Sequence, residues 1–125
     1  MVILDTCAII EVLKPDPTFA PKTTKLMDAG AIILSLSFAE IACKVKLGKL
    51  DMGISTRDLF REFSSIDHIE IVDIGVTEWL DSVELAWNDN RDPADRVLTA
   101  FAIRNELPIV TTDTKIKTFY RKCIW

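Results

Sequence analysis

Acidic side chains are the residues of this sequence that could do chemistry, because histidine, which most other hydrolytic and metal sites need, occurs only once. His68 is the lone histidine among 125 residues, so a zinc site built on paired histidines cannot form. A Ser-His-Asp triad would depend on His68 alone, and no nucleophile-elbow motif accompanies it. His68 also stands at the mouth of a predicted strand, where a solvated loop residue is the simpler interpretation. The candidates that remain are four carboxylates: Asp5, Glu40, Asp95 and Asp113.

Asp5 and Asp113 each follow a short apolar run that predicts a buried strand. Asp5 comes directly after VIL at residues 2–4, and Asp113 comes after PIV at 108–110 and two threonines. In an open parallel sheet, ligands bind beyond the carboxyl ends of the strands, so both acids are expected at that edge. Asp is also a favoured helix N-cap, and each of these precedes a predicted helix. Capping therefore remains an alternative for both.

Glu40 lies beside the apolar stripe of a helix that is expected to begin near Ser37. A position in the first turn would favour its charge through the helix dipole, and an i,i+4 pair with Lys44 would also explain it. An acid at the edge of a buried face, however, needs a cation or a hydrogen-bond partner. Glu40 is therefore a candidate for the same site.

The segment DPAD at residues 92–95 is a typical helix start, with Asp92 as N-cap, Pro93 at the first position and Asp95 at the third. Capping explains Asp92 without any function. Stabilisation of the helix start is an alternative for Asp95 as well, but Asp95 follows Ala94, which belongs to the buried stripe, and we expect it to be a ligand. Four carboxylates on one edge would repel one another unless divalent cations lay between them, and hard oxygen ligands select Mg²⁺ or Mn²⁺. Such a site can activate water for in-line attack on a phosphodiester.

Short apolar strands alternate with amphipathic helices along the whole sequence, without a repeat or a linker. This pattern predicts an α/β fold, a three-layer α/β/α sandwich with a central parallel sheet, in a single domain of residues 1–125. The predicted strands are VIL, AIIL (31–34), IEIV (69–72) and PIV. Helices are predicted before the turn KPDP at 14–17, from Thr18 to Gly30, along Phe38, Ile41, Ala42 and Val45, along Leu59, Phe60 and Phe63, along Val76, Trp79, Leu80 and Val83, from Ala94 to Ala102, and over residues 115–119.

Bulk properties restrict the class of protein further. No basic, cleavable leader and no apolar run of bilayer length is present, so a soluble, cytoplasmic protein is expected. Three separated cysteines, Cys7, Cys43 and Cys123, indicate reduced, mostly buried thiols rather than a disulfide framework. The net charge of −4 argues against a nucleic-acid partner, but bound metal ions would cancel part of it. Two basic clusters, at residues 44–49 and 115–122, are either solvated surface or phosphate contacts.

The sequence resembles the PIN-domain family, and especially the VapC-type toxins of toxin–antitoxin pairs. Four motifs occur in the family's order over nearly the whole chain. LDTCAII carries Asp5 as the first acid, SLSFAEIACKVKLGKL carries Glu40, RDPADRVLTAFA carries Asp95, and LPIVTTD carries Asp113. The resemblance implies Mg²⁺- or Mn²⁺-dependent endonucleolytic cleavage of RNA, with these four acids as the catalytic metal ligands.

The resemblance also implies partners and supporting residues. A VapB-like antitoxin would occlude the site, on a PIN homodimer. Thr6 and Thr112 would support the ligands, and Arg96 would contact phosphate or pair with a neighbouring acid. This chain departs from the subgroup at three positions, having Asn90 for a usual histidine, Ala94 for an aromatic residue and Ala39 for a tryptophan.

Two other hypotheses remain open. One is a PIN fold without catalysis that serves only as a partner-binding module. The other is a phosphotransfer enzyme or receiver domain, which would need a DxD nucleophile loop or an acidic pair before the phosphorylated aspartate. Asp5 in LDTCA is a single aspartate, which disfavours the second hypothesis.

Overall fold

The computed structural model describes residues 1–125, and a sheet of five strands lies at its centre. The order across the sheet is β3-β2-β1-β4-β5, and every neighbouring pair is parallel. The last strand comes from the terminal stretch CIW, for which no strand is predicted. The strands are β1 (Val2–Leu4), β2 (Ala31–Leu34), β3 (Ile69–Val72), β4 (Ile109–Val110) and β5 (Cys123–Ile124).

Seven helices cover the sheet. None of them combines the length and the apolarity that a membrane crossing requires. Their bounds are α1 (Thr6–Val12), α2 (Pro21–Asp28), α3 (Ser35–Lys46), α4 (Thr56–Ser64), α5 (Val76–Glu84), α6 (Pro93–Arg104) and α7 (Thr114–Phe119).

Two apolar cores lie on opposite faces of the sheet, because successive strand residues point to opposite sides. In β1, Val2 and Leu4 belong to one buried cluster and Ile3 belongs to the other. The first cluster is completed by side chains of α1, α3 and α4, and the second by side chains of α6 and α7. Helices on both faces of a parallel sheet confirm the predicted three-layer α/β/α sandwich.

The position of β1 creates the edge at which a site is expected. Strand β2 pairs with one side of β1 and β4 with the other, so the strand order reverses at β1. The carboxyl ends of β1 and β4 are therefore neighbours at a topological switch point, where ligands of open α/β sheets bind.

The second helix begins later than predicted. It starts at Pro21 rather than at Thr18. The amide and the hydroxyl of Thr18 both donate to Glu11 Oε1 at 2.9 Å, which holds Thr18 in the loop after α1. Proline at the first helical position then fixes the start of α2.

The apolar stripe predicted for α3 is partly wrong. The buried side chains of this helix are Ser37 and Ile41, whereas Ala42 and Val45 are exposed. The helix also begins at Ser35, so Glu40 lies beyond its first turn and the dipole explanation for Glu40 does not apply.

The stripe predicted for α5 is apolar but does not face the core. Val76, Leu80 and Val83 are between 59% and 76% exposed, and Trp79 is 45% exposed. Helix α5 packs on α6 and buries Ser82 instead.

One of the three cysteines also departs from the expectation of buried thiols, because Cys43 is exposed.

Candidate active site

Asp5 and Asp113 are placed by the two central strands. Asp5 follows β1 and Asp113 lies three residues after β4. Each also caps a helix: Asp5 Oδ1 accepts from the Thr6 amide at 2.7 Å, and Asp113 Oδ1 accepts from the Ile116 amide at 2.9 Å. Asp5 and Asp113 can therefore each cap a helix and also act as a ligand at the sheet edge, because a capping carboxylate keeps further lone pairs.

Glu40 is brought to Asp5 by the packing of α3 against α1. The hydroxyl of Thr6, which is almost completely buried, donates to Glu40 Oε2 at 2.6 Å. The other oxygen, Oε1, lies 3.7 Å from Lys44 Nζ, the i,i+4 partner expected from the sequence. Thr6 therefore links the first two candidate acids.

Asp95 lies in the first turn of α6, with Asp92 as the N-cap that accepts from the amides of Ala94 and Asp95. Burial raises the pKa of the Asp95 carboxyl to about 6, and the charges of Asp92, Asp5 and Asp113 contribute to the rise. A hydrogen bond from Asn90 Nδ2 to Asp95 Oδ2, at 2.8 Å, acts in the opposite direction. Asp95 therefore lies in the same electrostatic environment as Asp5 and Asp113.

All four candidate acids line one small cavity of about 160 Å³. We call it the acid pocket. Nearly all of its lining is polar, and the acids come from four separate segments of the chain. The lining residues are Asp5, Thr6, Cys7, Glu40, Lys44, Asp95, Thr112 and Asp113.

The acids share this pocket without forming a closed ligand group: no three carboxylate, cysteine or histidine side chains are arranged to hold one metal ion. Both oxygens of Asp5 and one oxygen of Glu40 accept hydrogen bonds from neighbouring donors. The donor chemistry still fits Mg²⁺ or Mn²⁺, because all four groups are hard carboxylate oxygens. Asp113 and Asp95 each use one oxygen in a hydrogen bond and keep the other, Oδ2 and Oδ1 respectively, unpaired.

The two threonines after β4 have different roles. Thr112, expected to support the ligands, lines the pocket, but it is exposed and its hydroxyl contacts only Cys7 Sγ, at 3.7 Å. Thr111, for which no role is predicted, is fully buried; its hydroxyl donates to Asp5 Oδ2 at 2.7 Å and accepts from the Asp113 amide at 3.0 Å. The T-x-D spacing is typical of a hydroxyl that bonds the amide two residues on, and this signal could have identified Thr111.

Cys7 lines the acid pocket, and no role is predicted for it from the sequence. Its Sγ lies 3.6 Å from Asp5 Oδ2 and 3.6 Å from the Thr111 hydroxyl. Burial, followed by the charge of Asp5, raises the pKa of the Cys7 thiol. The thiol therefore stays protonated at neutral pH, and the pocket offers oxygen ligands rather than a thiolate.

Arg96 occupies neither of the positions suggested from the sequence. Its guanidinium contacts no carboxylate. It donates to four backbone carbonyls of the segment between α5 and α6 and of the end of α5, those of Ser82, Leu85, Trp87 and Asn90. Arg96 therefore fixes a loop rather than presenting its charge to a ligand.

Comparison with known proteins identifies the family. The PIN domain model matches residues 2–122, and no curated protein is significantly similar to the chain. The solved structures with the same fold include a toxin–antitoxin complex from Klebsiella pneumoniae, at 16% identity and a TM-score of 0.64 over 100% of this chain and 97% of that one. They also include FitAB bound to an IR36 DNA fragment, at 19% identity and a TM-score of 0.57 over 91% and 86%. A third is FitAcB from Neisseria gonorrhoeae, at 21% identity and a TM-score of 0.55 over 93% and 90%.

These structural likenesses, all at low identity, concern the fold. The family match covers almost the entire chain and agrees with the parallel sheet and its flanking helices. The protein therefore belongs to the PIN domain family.

Proposed function

We propose that this PIN domain is a Mg²⁺- or Mn²⁺-dependent endoribonuclease and the toxin of a VapBC-type toxin–antitoxin pair. The acid pocket carries the proposal: carboxylates from four separate segments line one cavity beside the switch point of the sheet. Burial, with the charges of neighbouring acids added to it, raises the pKa of Asp95, so the ionised form of Asp95 costs stability without a compensating cation. An arrangement that opposes folding in this way is typical of a functional site.

In this proposal Asp5, Glu40, Asp95 and Asp113 hold the cation. Thr6 and Thr111 fix Glu40 and Asp5 through hydrogen bonds of 2.6 and 2.7 Å, so that these ligands are oriented in advance. When bound, Mg²⁺ or Mn²⁺ supplies a Lewis acid that activates water and stabilises charge developing on the phosphodiester. Lys44 lines the same pocket and is placed to contact a substrate phosphate.

RNA cleavage with matched aspartate variants tests this proposal. Purified protein is incubated with total tRNA and rRNA, with and without Mn²⁺, and the cut ends are mapped. We expect metal-dependent cuts that Asp5→Asn reduces by at least about 100-fold. Asp67→Asn, the same change in an exposed loop residue outside the pocket, should retain wild-type activity. Equal activity of Asp5→Asn and the wild type would reject the site.

An antitoxin is the proposed protein partner. The structures with the same fold include a toxin–antitoxin complex, and a ribonuclease that arrests the growth of its own cell would need an inhibitor. We expect expression of the wild-type chain alone to arrest growth and co-expression of its VapB-like antitoxin to restore it. Asp95→Asn expressed alone should not arrest growth; arrest by this variant at wild-type severity would show that the toxicity is not catalytic.

A homodimer is the proposed assembly, and we assign the exposed apolar face of α5 to it. Four of the eleven large hydrophobic side chains that are exposed in the chain lie on this face: Val76, Trp79, Leu80 and Val83. A self-complementary helix face is suited to a two-fold interface. No residue of α5 lines the acid pocket, so pairing through α5 leaves both pockets open to RNA.

The alternative is a catalytically silent PIN module that only binds a partner. One observation favours it: the acids do not converge into a group of three metal ligands. A calorimetric titration separates the two functions, because a silent module would show no Mn²⁺ binding at millimolar concentrations, whereas the proposed ribonuclease would bind.

A further inference from the structure

Asn90 bridges two acidic residues at the start of α6. It is only 2% exposed. Its Oδ1 accepts from the Asp92 amide at 2.9 Å, and its Nδ2 donates to Asp95 Oδ2 at 2.8 Å. The orientation of the side-chain amide is determined by chemistry, because a backbone N–H can only donate and must face the oxygen. The NH₂ group must therefore face Asp95.

Arg96 holds the segment between α5 and α6 in which Asn90 lies. Its Nη1 donates to the Asn90 carbonyl at 2.9 Å and also to the Trp87 carbonyl, and its Nη2 donates to the Leu85 carbonyl at 3.0 Å. A planar guanidinium with several donors fixes backbone geometry at several points at once. Asn90 is thus attached to the same helix that carries Asp95.

We propose that Asn90 is a positioning residue for Asp95, held in place by Arg96, and that it sets the affinity of the acid pocket for its divalent cation. This inference rests on the proposed function. Asn90 occupies Oδ2 of Asp95 and leaves Oδ1, on a side chain that lines the pocket, without a hydrogen-bond partner. One oxygen is therefore anchored while the other is available to a ligand.

Anchoring matters because a carboxylate torsion is broad and otherwise free. A cation that binds an unanchored Asp95 must also immobilise it, which weakens binding. Hydrogen-bond partners of metal ligands typically contribute about 10–100-fold to metal affinity. Asn90 is outside the four acids themselves, so its removal tests orientation without removing a ligand.

Asn90→Ser is the variant that isolates this role. A serine hydroxyl can still accept from the amide two residues on, so the turn to Asp92 is kept, but it is too short to reach Asp95. We expect the Mn²⁺ Kd of the RNA-free protein, measured by calorimetry, to rise by about 10–100-fold. Cleavage should fall steeply at limiting Mn²⁺ and recover most of its kcat at saturating Mn²⁺.

Two further variants control for loss of structure. Asn88→Ser makes the same change at an exposed residue of the same loop that forms no side-chain hydrogen bond, and it should leave the Mn²⁺ Kd unchanged. Asn90→His keeps a side-chain N–H donor and should restore tighter binding than Asn90→Ser. A purely structural role would lower the active fraction without shifting the Mn²⁺ Kd.

Wild-type Mn²⁺ affinity in a folded Asn90→Ser protein would overturn the inference while leaving the proposed ribonuclease intact. If Asn90→Ser does not fold, Arg96→Lys, which loses most of the carbonyl contacts, replaces it. The Mn²⁺ Kd of Arg96→Lys should also rise, and wild-type affinity in this variant would overturn the inference. Absence of Mn²⁺ binding by the wild type would overturn both the proposed function and this inference.

Discussion

Asp95 has the least favourable surroundings for a charge in the acid pocket. Burial raises the pKa of its carboxyl from 3.8 to about 6, and three acidic neighbours contribute to the rise. The folded protein therefore binds this proton more tightly than the unfolded chain does. Ionisation of Asp95 opposes folding of the metal-free protein progressively between about pH 4 and pH 6, and the penalty is constant above that range.

Asp95→Asn should consequently stabilise the metal-free protein at pH 7. Two pKa units correspond to about 3 kcal/mol, which partial solvent screening reduces to about 1–2 kcal/mol. Urea unfolding of both proteins from pH 4 to 8 measures this difference. The gap in free energy of unfolding should open between pH 4 and 6 and then stay constant. A variant less stable than the wild type at pH 7 would contradict the burial of the charge.

Thr111 and Thr112 provide a matched pair for the hydrogen bond to Asp5. Thr111→Val removes a buried donor 2.7 Å from Asp5 Oδ2 and should cost about 1–2 kcal/mol of unfolding free energy. We also expect a decrease of about 10–100-fold in kcat/KM for RNA.

Thr112→Val should change stability by less than about 0.5 kcal/mol, because Thr112 is exposed. Denaturant unfolding and cleavage rates of the two variants measure the contrast. Equal effects of the two substitutions would show that the Thr111 contact does not orient Asp5.

Three of the four acids can be located from strand ends and helix starts, which the sequence shows directly, whereas Glu40 is identified by its place beside an apolar helix stripe and by the resemblance to the PIN-domain family. Asp5 and Asp113 follow apolar runs, and Asp95 follows a Pro at a helix start. Asn90, which supports Asp95, cannot be predicted in this way, because it lies in a loop whose path is set by the contacts of Arg96. Likewise, whether Thr111 or Thr112 is buried depends on the backbone geometry at the end of β4.

At the scale of single elements, α5 shows what an amphipathic pattern can and cannot predict. The pattern correctly predicts a helix and its apolar stripe, but it cannot tell whether that stripe is buried in the core or exposed. The polar side of α5 packs on α6, where Ser82 is buried and Asp81 bonds Arg104 at 2.8 Å. The apolar side is left to solvent in the single chain.

A charge in the α5 face should separate the proposed dimer. Leu80→Glu places a carboxylate in the middle of the apolar face, where burial against a second copy would desolvate it. Light scattering after size exclusion should show a dimer for the wild type and a monomer for Leu80→Glu. Leu47→Glu, at an exposed leucine after α3, should remain dimeric. A monomeric wild type, or a dimeric Leu80→Glu, would contradict the assignment of this face.

Helix boundaries were the least predictable part of the elements. The start of α2 depends on Glu11 of α1, which accepts two hydrogen bonds from Thr18 and so keeps Thr18 in the loop. No local sequence pattern indicates this contact. In α3 the residues that face the core, Ser37 and Ile41, depend on how the helix packs against its neighbours. Strands were more accessible, because β1 and β2 are continuous apolar runs that must be buried on both faces.

At the scale of the whole molecule, the switch point at β1 gathers the acids from distant parts of the sequence. Parallel strands alternating with helices predicted this edge, and the order β3-β2-β1-β4-β5 places β1 beside β4. The order itself could not be obtained from the pattern alone. The terminal strand β5 was missed because two residues are too few for a periodicity.

Binding of a divalent cation should stabilise the whole protein, because the cation would bind the folded state, in which the acids line one pocket, and would offset the unfavourable charge of Asp95. At Mn²⁺ concentrations of about 100 times Kd, the gain is about 2.7 kcal/mol, or about 10 °C in Tm. Differential scanning calorimetry with Mn²⁺ and after addition of EDTA measures it. Asp95→Asn should lose most of the gain; a wild-type Tm insensitive to Mn²⁺ would contradict a folded-state metal site.

The central claim is that the four carboxylates of the acid pocket share a divalent cation. A crystal structure of the protein grown with Mn²⁺, with anomalous data collected at the manganese edge, tests it most directly. The account predicts an anomalous peak inside the pocket within about 2.0–2.4 Å of oxygens of at least two of Asp5, Glu40, Asp95 and Asp113. A crystal grown at saturating Mn²⁺ that shows no anomalous peak in the pocket, or that shows manganese only elsewhere on the surface, would contradict the central claim.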